Sequence, residues 1–363
     1  MENILREPSW FIAWKKSMDK TYVPNTDVAH LPEYRIEQID KELELYTLKE
    51  AFETEGIREL VEGLLSSALL PNPVDEAAAH ARSSISSGLV FYAQPKIDDT
   101  GIAIEQHAVI ETTVSGHMGA DLLIIIAKTG AHVRVVDKVI ERDRGARFSR
   151  LCVVLTEEGS SVELANVVDV KGLSVDFQRY GLVGAMAQVR FLDEVASSSD
   201  CRIETASMLI GDGSRSVIDH ALLADATGRF TIADRIDVRS KEAEGNISVA
   251  GAIAGSAHIT YSGHTATKEG DIAVSARESA RFLLLNDSAG VEATPAIDVL
   301  DRHTNVAHEL SITHIKDEEL FYAQTKGIPL PEARLLALEG FFSPRNLSKG
   351  FLGRLHKCLK AYE

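Results

Sequence analysis

Cysteine is scarce in this chain of 363 residues. The three that are present, Cys152, Cys201 and Cys358, lie far apart, and no two of them form a CxxC pair. An odd and sparse set of this kind argues against a disulfide framework and against a self-contained thiolate metal site.

Positive charge is also in short supply. There are 38 Lys and Arg residues against 54 Asp and Glu residues, which gives a formal net charge of −16. A surface this acidic repels a phosphate backbone unless a local basic stripe overrides it. We see no such stripe in the sequence, so nucleic acid is not expected as a partner.

Long hydrophobic runs are absent. The longest, Leu122 to Ala127, is far shorter than the roughly 20 apolar residues that span a bilayer. The first twenty residues are interrupted by Arg6, Glu7 and Lys15 and lack the apolar core of a signal peptide. We therefore expect a cytoplasmic protein with no membrane partner.

Common catalytic motifs are missing as well. No GxxxxGK[ST] loop exists, which excludes ATP hydrolysis by the P-loop route, and no GxSxG elbow is present. His308-Glu309 begins an HExxH motif, but the fifth position is Ile312 instead of a second zinc-binding histidine. The sequence predicts a protein that is not an enzyme.

The pattern at the two ends of the chain is helical. We predict an N-terminal helical region over residues 1–87, with a weaker second helix at 74–87 after the prolines of 71–73. We also predict a C-terminal helical region over 311–363, in which helix returns after Asp317. The clearest helical face, with i, i+3, i+4 spacing, comprises Ile57, Leu60, Val61, Leu64, Leu65 and Ala68.

Between these regions, residues 88–310 have the texture of strands. β-Branched residues dominate, and short apolar stretches recur between Gly, Ser and Asp without intervening helices. Residues 161–166 and 246–249 alternate as half-buried strands do. A sandwich, a barrel or a solenoid fits this pattern, and the even spacing of small-residue-rich strands favours a β-helix-like solenoid.

Three histidines, His303, His308 and His314, cluster near the end of the strand region. With period-two alternation His308 and His314 share one face of a strand, while Glu309 points to the other. Spacing alone does not separate a metal site from solvated histidines at the end of a sheet.

The residues in this segment carry a family resemblance. The stretch PAIDVLDRHTNVAHELSITHIKDEELFYAQTKGI, which begins at Pro295, resembles the C-terminal signature of the SufB/SufD family of iron–sulfur cluster assembly proteins. The matching positions are His308, Glu309, Ile315, Leu320, Phe321, Tyr322, Gly327 and Ile328. The His-Glu step is closer to SufB than to SufD, which usually has glycine there.

The resemblance implies a mainly β fold, a right-handed parallel β-helix flanked by helical segments. It also implies a scaffold subunit that works with a SufC-like ABC ATPase and with a second SufB/SufD-type subunit or a second copy of itself. The ATPase would hydrolyse ATP and dock on the C-terminal helices, at Leu336, Phe341 and Phe342. The cofactors implied are iron and a transient iron–sulfur cluster, bound by His308 and Glu309.

Family cysteines are missing from two positions. The cysteine of SufB aligns with Ala280, and the cysteine of SufD aligns with Val306. Cys201 is the remaining candidate sulfur acceptor, although a small buried core residue is the simpler interpretation. Phe321 and Tyr322 are expected to seal a core.

Other sequence features leave room for further interpretations. The apolar stripe of the last helix, from Phe351 onward, could pack on the chain's own sheet or dock a partner, and the resemblance favours docking. Two other functions stay open, a β-helix enzyme that acts on polysaccharide and a purely structural oligomerisation module.

Overall fold

A computed structural model describes residues 32–362 apart from 67–69, 71–81, 83, 84, 86, 117, 268–272 and 301–303. The strands are β1 Glu33–Ile39, β2 Glu44–Thr47, β3 Ser87–Ala93, β4 Glu105–Val114, β5 Met118–Ala127, β6 His132–Glu141, β7 Arg147–Thr156, β8 Ser161–Val170, β9 Ser174–Val183, β10 Gln188–Ser197, β11 Cys201–Leu209, β12 Arg215–Ala224, β13 Arg229–Val238, β14 Glu244–Ile253, β15 His258–Thr267, β16 Ser275–Leu284, β17 Gly290–Asp298 and β18 Asn305–His314. The helices are α1 Leu48–Glu53, α2 Glu55–Ser66, α3 Asp317–Thr325, α4 Leu330–Phe342 and α5 Lys349–Ala361.

Consecutive strands alternate between two sheets, and this alternation makes a solenoid. One sheet has the order β1-β4-β6-β8-β10-β12-β14-β16-β18, and the other β17-β15-β13-β11-β9-β7-β5-β3-β2. Strands of successive turns pair in parallel, as where Gln188 lies between Ser161 and Arg215. The prediction of a mainly β, parallel solenoid flanked by helices is confirmed. The strands extend to His314, beyond the boundary expected at residue 310.

Side chains that alternate along the strands make the core. In β8 the residues Val162, Leu164, Asn166, Val168 and Val170 are buried, and the residues that alternate with them are partly exposed or exposed. Tight turns connect the strands, and Gly159 provides one with its positive φ of 64°. Glycine adopts this conformation without the steric cost of a Cβ atom.

The first turn of the solenoid corrects the expectation of a wholly helical N-terminal region. Strand β1 pairs antiparallel with β4, and β2 pairs antiparallel with β3. The predicted helical face is present in α2 from Ile57 to Leu65. Ala68, and nearly all of the helix predicted at 74–87, lie outside the described residues.

Helices α1 and α2 cover the outer face of β3, β5 and β7. Leu64 and Leu65 belong to one buried cluster with Ile124 and Ile126 of β5. Strand β5 is therefore buried on both faces, which explains the uninterrupted apolar run noted in the sequence. None of the helices among the described residues combines the length and the apolar character needed to cross a bilayer.

Helices α4 and α5 cover the outer face of the other sheet. Small residues such as Ala221 and Ala250 let the helices approach, and Phe351, Leu355 and Cys358 are buried against the sheet. The apolar stripe of the last helix is thus occupied within the chain, which corrects its interpretation as a free docking face.

The two ends of the solenoid differ. At the start, β1 and β2 close the sheets with antiparallel pairing. At the other end, β17 and β18 are the last strands of their sheets, with no further strand beside them in the described part of the chain. Leu310 and Ile312 follow the inward register of Ala280 and Phe282, yet both are exposed.

Candidate functional site

Strand β18 places His308 at the open end of the solenoid. His308 pairs in register with Glu278 of β16. Glu278 is buried, so this position is on the inner face, and His308 is on the inner face of the terminal turn. His308 itself is exposed because no further turn covers it in the part of the chain that the structure describes.

Glu278 lies on the strand next to that of His308, on the same face, and Tyr261 of the opposite sheet binds it. Tyr261 Oη donates to Glu278 Oε1 at 2.8 Å, and the Tyr261 ring packs on Phe282 with centroids 5.9 Å apart. Glu278 Oε2 is buried and has no hydrogen-bond partner among the described residues. Burial raises the pKa of Glu278, and the carboxylate of Asp234 adds to the rise.

Glu309 points to the outer face of the same strand. Its Oε2 lies 3.6 Å from Arg277 Nη2, and both side chains are more than half exposed. The structure therefore brings His308 and Glu309 to one end of the molecule but to opposite faces. His314 lies at the end of β18 and is exposed, and His303 is outside the described residues.

All three cysteines are free and buried. Cys201 begins β11 and is only 2% exposed, and burial raises the pKa of its thiol. Burial likewise raises the pKa of Cys152 and of Cys358 to about 12. A reactive sulfur needs an accessible thiolate, which this burial opposes.

The predicted docking residues have three different environments. Phe342 is buried and stacks edge-to-face on Phe351, so it stabilises α4 against the sheet. Phe341 is partly buried, and the guanidinium of Arg281 lies 5.4 Å from the centre of its ring. Leu336 is 54% exposed.

Two further aromatic side chains are exposed on α3. Phe321 and Tyr322 are 67% and 64% exposed, whereas the neighbouring Leu320 is buried. The expectation that this aromatic pair seals a core is therefore wrong, because Leu320 is the residue that packs inward. Exposed large hydrophobic side chains of this kind mark interaction sites when they are contiguous.

The interior of the solenoid also contains a series of buried charges, which we call the charge ladder. Its members, together with the polar groups that bind them, are Thr112, Asp121, Asp137, Arg150, Arg179, Asp193, Thr205, His220 and Asp234. Sequence reasoning missed this feature. The sequence did contain a signal for it, because each charge is an even number of residues from buried apolar residues of its own strand. Residues at that spacing share one face of a strand.

Each cation of the charge ladder is bound by carboxylates. Arg150 Nε donates to Asp121 Oδ1 at 2.8 Å, and the same guanidinium is ion-paired with Asp137. Arg179 Nη2 donates to Asp193 Oδ2 at 2.6 Å. Buried charges are retained only when they are paired in this way.

His220 connects two carboxylates. Its Nδ1 lies 2.5 Å from Asp193 Oδ2, and its Nε2 lies 2.9 Å from Asp234 Oδ1. Burial alone would lower the pKa of His220, but the carboxylates of Asp234 and Asp193 outweigh burial and raise the pKa to about 9. His220 is therefore a buried imidazolium at neutral pH.

No group of three or more His, Cys, Asp or Glu side chains within the described ranges is arranged to hold a metal ion. His308 with one carboxylate offers an incomplete ligand set. An iron ion bound there would need further ligands from solvent, a sulfur species or another chain.

Comparison with known proteins gives one consistent result. The family model described as SUF system FeS cluster assembly, SufBD core domain, matches residues 109–341. The iron–sulfur cluster assembly protein SufD of Bacillus subtilis is 23% identical over 280 residues, which cover 75% of this chain and 63% of that protein. The chain thus spans less than two thirds of the length of that relative.

Two other relatives carry the same family description. A SufBD family protein of Mycobacterium tuberculosis is 22% identical over 283 residues, covering 74% of this chain and 69% of that protein. A SufBD family protein of Pyrococcus horikoshii is 39% identical over 62 residues, covering 17% of this chain and 14% of that protein.

Proposed function

Because the chain belongs to the SufBD core-domain family of the SUF system, we propose that it is a non-catalytic scaffold subunit on which iron–sulfur clusters are assembled. Family membership and similarity to SufD support a role in iron–sulfur cluster assembly. The observation that carries the scaffold proposal is the inward-facing His308 at the open end of the solenoid.

In this proposal His308 and Glu309 take part in binding iron or a nascent cluster. Imidazole and carboxylate suit iron, although they are harder ligands than thiolate. His308 acts from the inner face and Glu309 from the outer face, beside Arg277. The missing sulfur ligands then come from a sulfur donor or from another subunit. Cys201 keeps only the role of a buried core residue, since its thiol is inaccessible.

The partner at the open end is a second copy of this chain or a SufB/SufD-type subunit. The edge strands β17 and β18, together with the inward-type residues Leu310 and Ile312 that are left exposed on β18, favour pairing with another chain. Such pairing would enclose His308 between the two subunits and give an isologous contact if both are copies of this chain.

The second partner is a SufC-like ABC ATPase. Leu336 of α4 with Phe321 and Tyr322 of α3 offers exposed apolar surface on helices that contact one another. Phe342 is buried between α4 and the sheet, so its role in this arrangement is to hold α4 in place.

Reconstitution of the assembled complex with iron and a sulfur source tests the site. We expect His308→Ala and Glu309→Ala to lower the iron content and the cluster absorbance, while His314→Ala, on the same strand, retains both. Full cluster absorbance in the first two variants, with loss in the third, would show that His308 and Glu309 are not the residues of the site.

A further inference from the structure

The inner face of the last turn joins His308 to a second carboxylate. Glu278 and His308 are register partners on adjacent parallel strands. Such partners point to the same side of the sheet and lie about 4.8 Å apart along it. Glu309, one residue farther, points to the opposite side. Geometry therefore couples His308 to Glu278 more closely than to its own neighbour in the sequence.

The carboxylate of Glu278 is only half satisfied. The side chain is 1% exposed, and Tyr261 Oη donates to Oε1, yet Oε2 has no hydrogen-bond partner among the described residues. Leaving a buried acceptor unpaired is unfavourable, because the group has given up its hydrogen bonds to water. A buried polar atom without a partner needs an explanation, and a bound metal ion is one.

Gly263 makes room for the contact between Glu278 and Tyr261. Gly263 of β15 faces Glu278 from the opposite sheet, and a Cβ atom at that position would lie 1.8 Å from Glu278 Oε1 and 2.4 Å from Tyr261 Oη. Glycine at 263 thus permits the carboxylate and the phenol to meet there. Their hydrogen bond holds Oε1, and Oε2, which has no partner in the described ranges, is left as the ligand atom.

We propose that Glu278 is the carboxylate that binds ferrous iron together with His308, at the inner face of the open end. The inference rests on the proposed function, and it assigns the inner-face ligand that the function requires. An imidazole nitrogen and a carboxylate oxygen are a suitable pair for Fe(II). Tyr261 positions the carboxylate and is not itself a ligand in this arrangement.

Anaerobic Fe(II) binding by the full chain tests the assignment without any need for cluster formation. Glu278→Gln keeps the shape of the side chain and the acceptor for Tyr261 but removes the anionic ligand. We expect Glu278→Gln and His308→Gln each to weaken Fe(II) binding by about 10-fold or more. Glu292→Gln, the matched control at an exposed carboxylate of β17 that takes no part in the proposed site, should stay within about 2-fold of the unaltered chain.

The outcomes separate this inference from the proposed function. Loss of Fe(II) binding in His308→Gln with full binding in Glu278→Gln would overturn the role of Glu278 and leave the scaffold site standing. Full binding in His308→Gln would overturn both. If Glu278→Gln fails to fold, Glu278→Asp replaces it, because it keeps the charge but withdraws the oxygens by one methylene. Unchanged Fe(II) binding in that variant would equally refute the role of Glu278.

Discussion

The buried imidazolium of His220 gives the most sharply defined prediction. His220 is fully enclosed between Asp193 and Asp234, and its pKa is raised to about 9 from an ordinary value of 6.5. Between these two pH values the folded chain therefore retains a proton on His220 that the unfolded chain releases. Replacing His220 with Gln keeps a hydrogen-bonding side chain but removes this proton.

The sign of the pH dependence follows from linkage. Stability from a group whose pKa is raised on folding is fully present below the unfolded pKa, here about 6.5. It is lost as the pH rises through the folded pKa of about 9. At about 1.4 kcal/mol for each pH unit, the loss for His220 amounts to about 3 kcal/mol.

Urea unfolding at a series of pH values from 6 to 10 measures this effect. The difference in free energy of unfolding between the unaltered chain and His220→Gln should be largest at pH 6 and smaller by about 3 kcal/mol near pH 9.5. The difference removes contributions common to both chains, such as those of the buried cysteines. A difference that stays constant over this range would refute the reasoning, because it would mean that His220 is neutral in the folded chain. His314→Gln, an exposed position, should give a constant difference.

Three further predictions concern the turns, the helices and the open end. Gly211→Ala should destabilise the fold by about 2 kcal/mol or more, since the new Cβ atom would lie 2.0 Å from a backbone nitrogen of the adjacent turn. Gly63→Ala, which has open space around it in a helix, should stabilise the fold by about 0.5–1 kcal/mol. Thermal unfolding that ranks the two variants in the reverse order would contradict this prediction. Leu336→Asp should weaken co-purification with the ATPase without altering the fold, whereas Phe342→Asp should lower the unfolding temperature, because only Phe342 is buried. Ile312→Lys should convert a dimer to monomers in analytical ultracentrifugation, and a chain that is monomeric before substitution would remove the basis of that prediction.

The sequence predicted the architecture because a solenoid is built from local signals. Alternation over residues 161–166 and glycine-punctuated short strands both report which residues face the core. Strands β1 and β2 were missed because each is short and lies beside a genuine helical pattern in α2. Their antiparallel pairing depends on contacts with β4 and β3, which lie 40 to 80 residues away in the chain.

The sequence showed which side chains form apolar surfaces, but it did not show what covers those surfaces. The stripe of α5 and the aromatic pair of α3 are both apolar, yet the first is buried within the chain and Phe321 and Tyr322 are exposed. Hydrophobicity predicts that a surface will be covered but does not say by what. Likewise, family resemblance identified His308 and Glu309, but only the strand register shows that Glu278 shares the face of His308.

The charge ladder and the candidate site have a common structural origin. In a solenoid each inward position is followed by an equivalent position one turn later, so a buried charge such as Asp193 or Asp234 finds its counter-ion on a neighbouring strand. In the described part of the chain, strands that could provide such a counter-ion end at β18, the last strand of its sheet. Glu278 occupies the last turn but one, and above it the described chain offers only the exposed His308. The free oxygen of Glu278 is thus where the described part of the chain provides no further partner, and in our proposal an iron ion binds there.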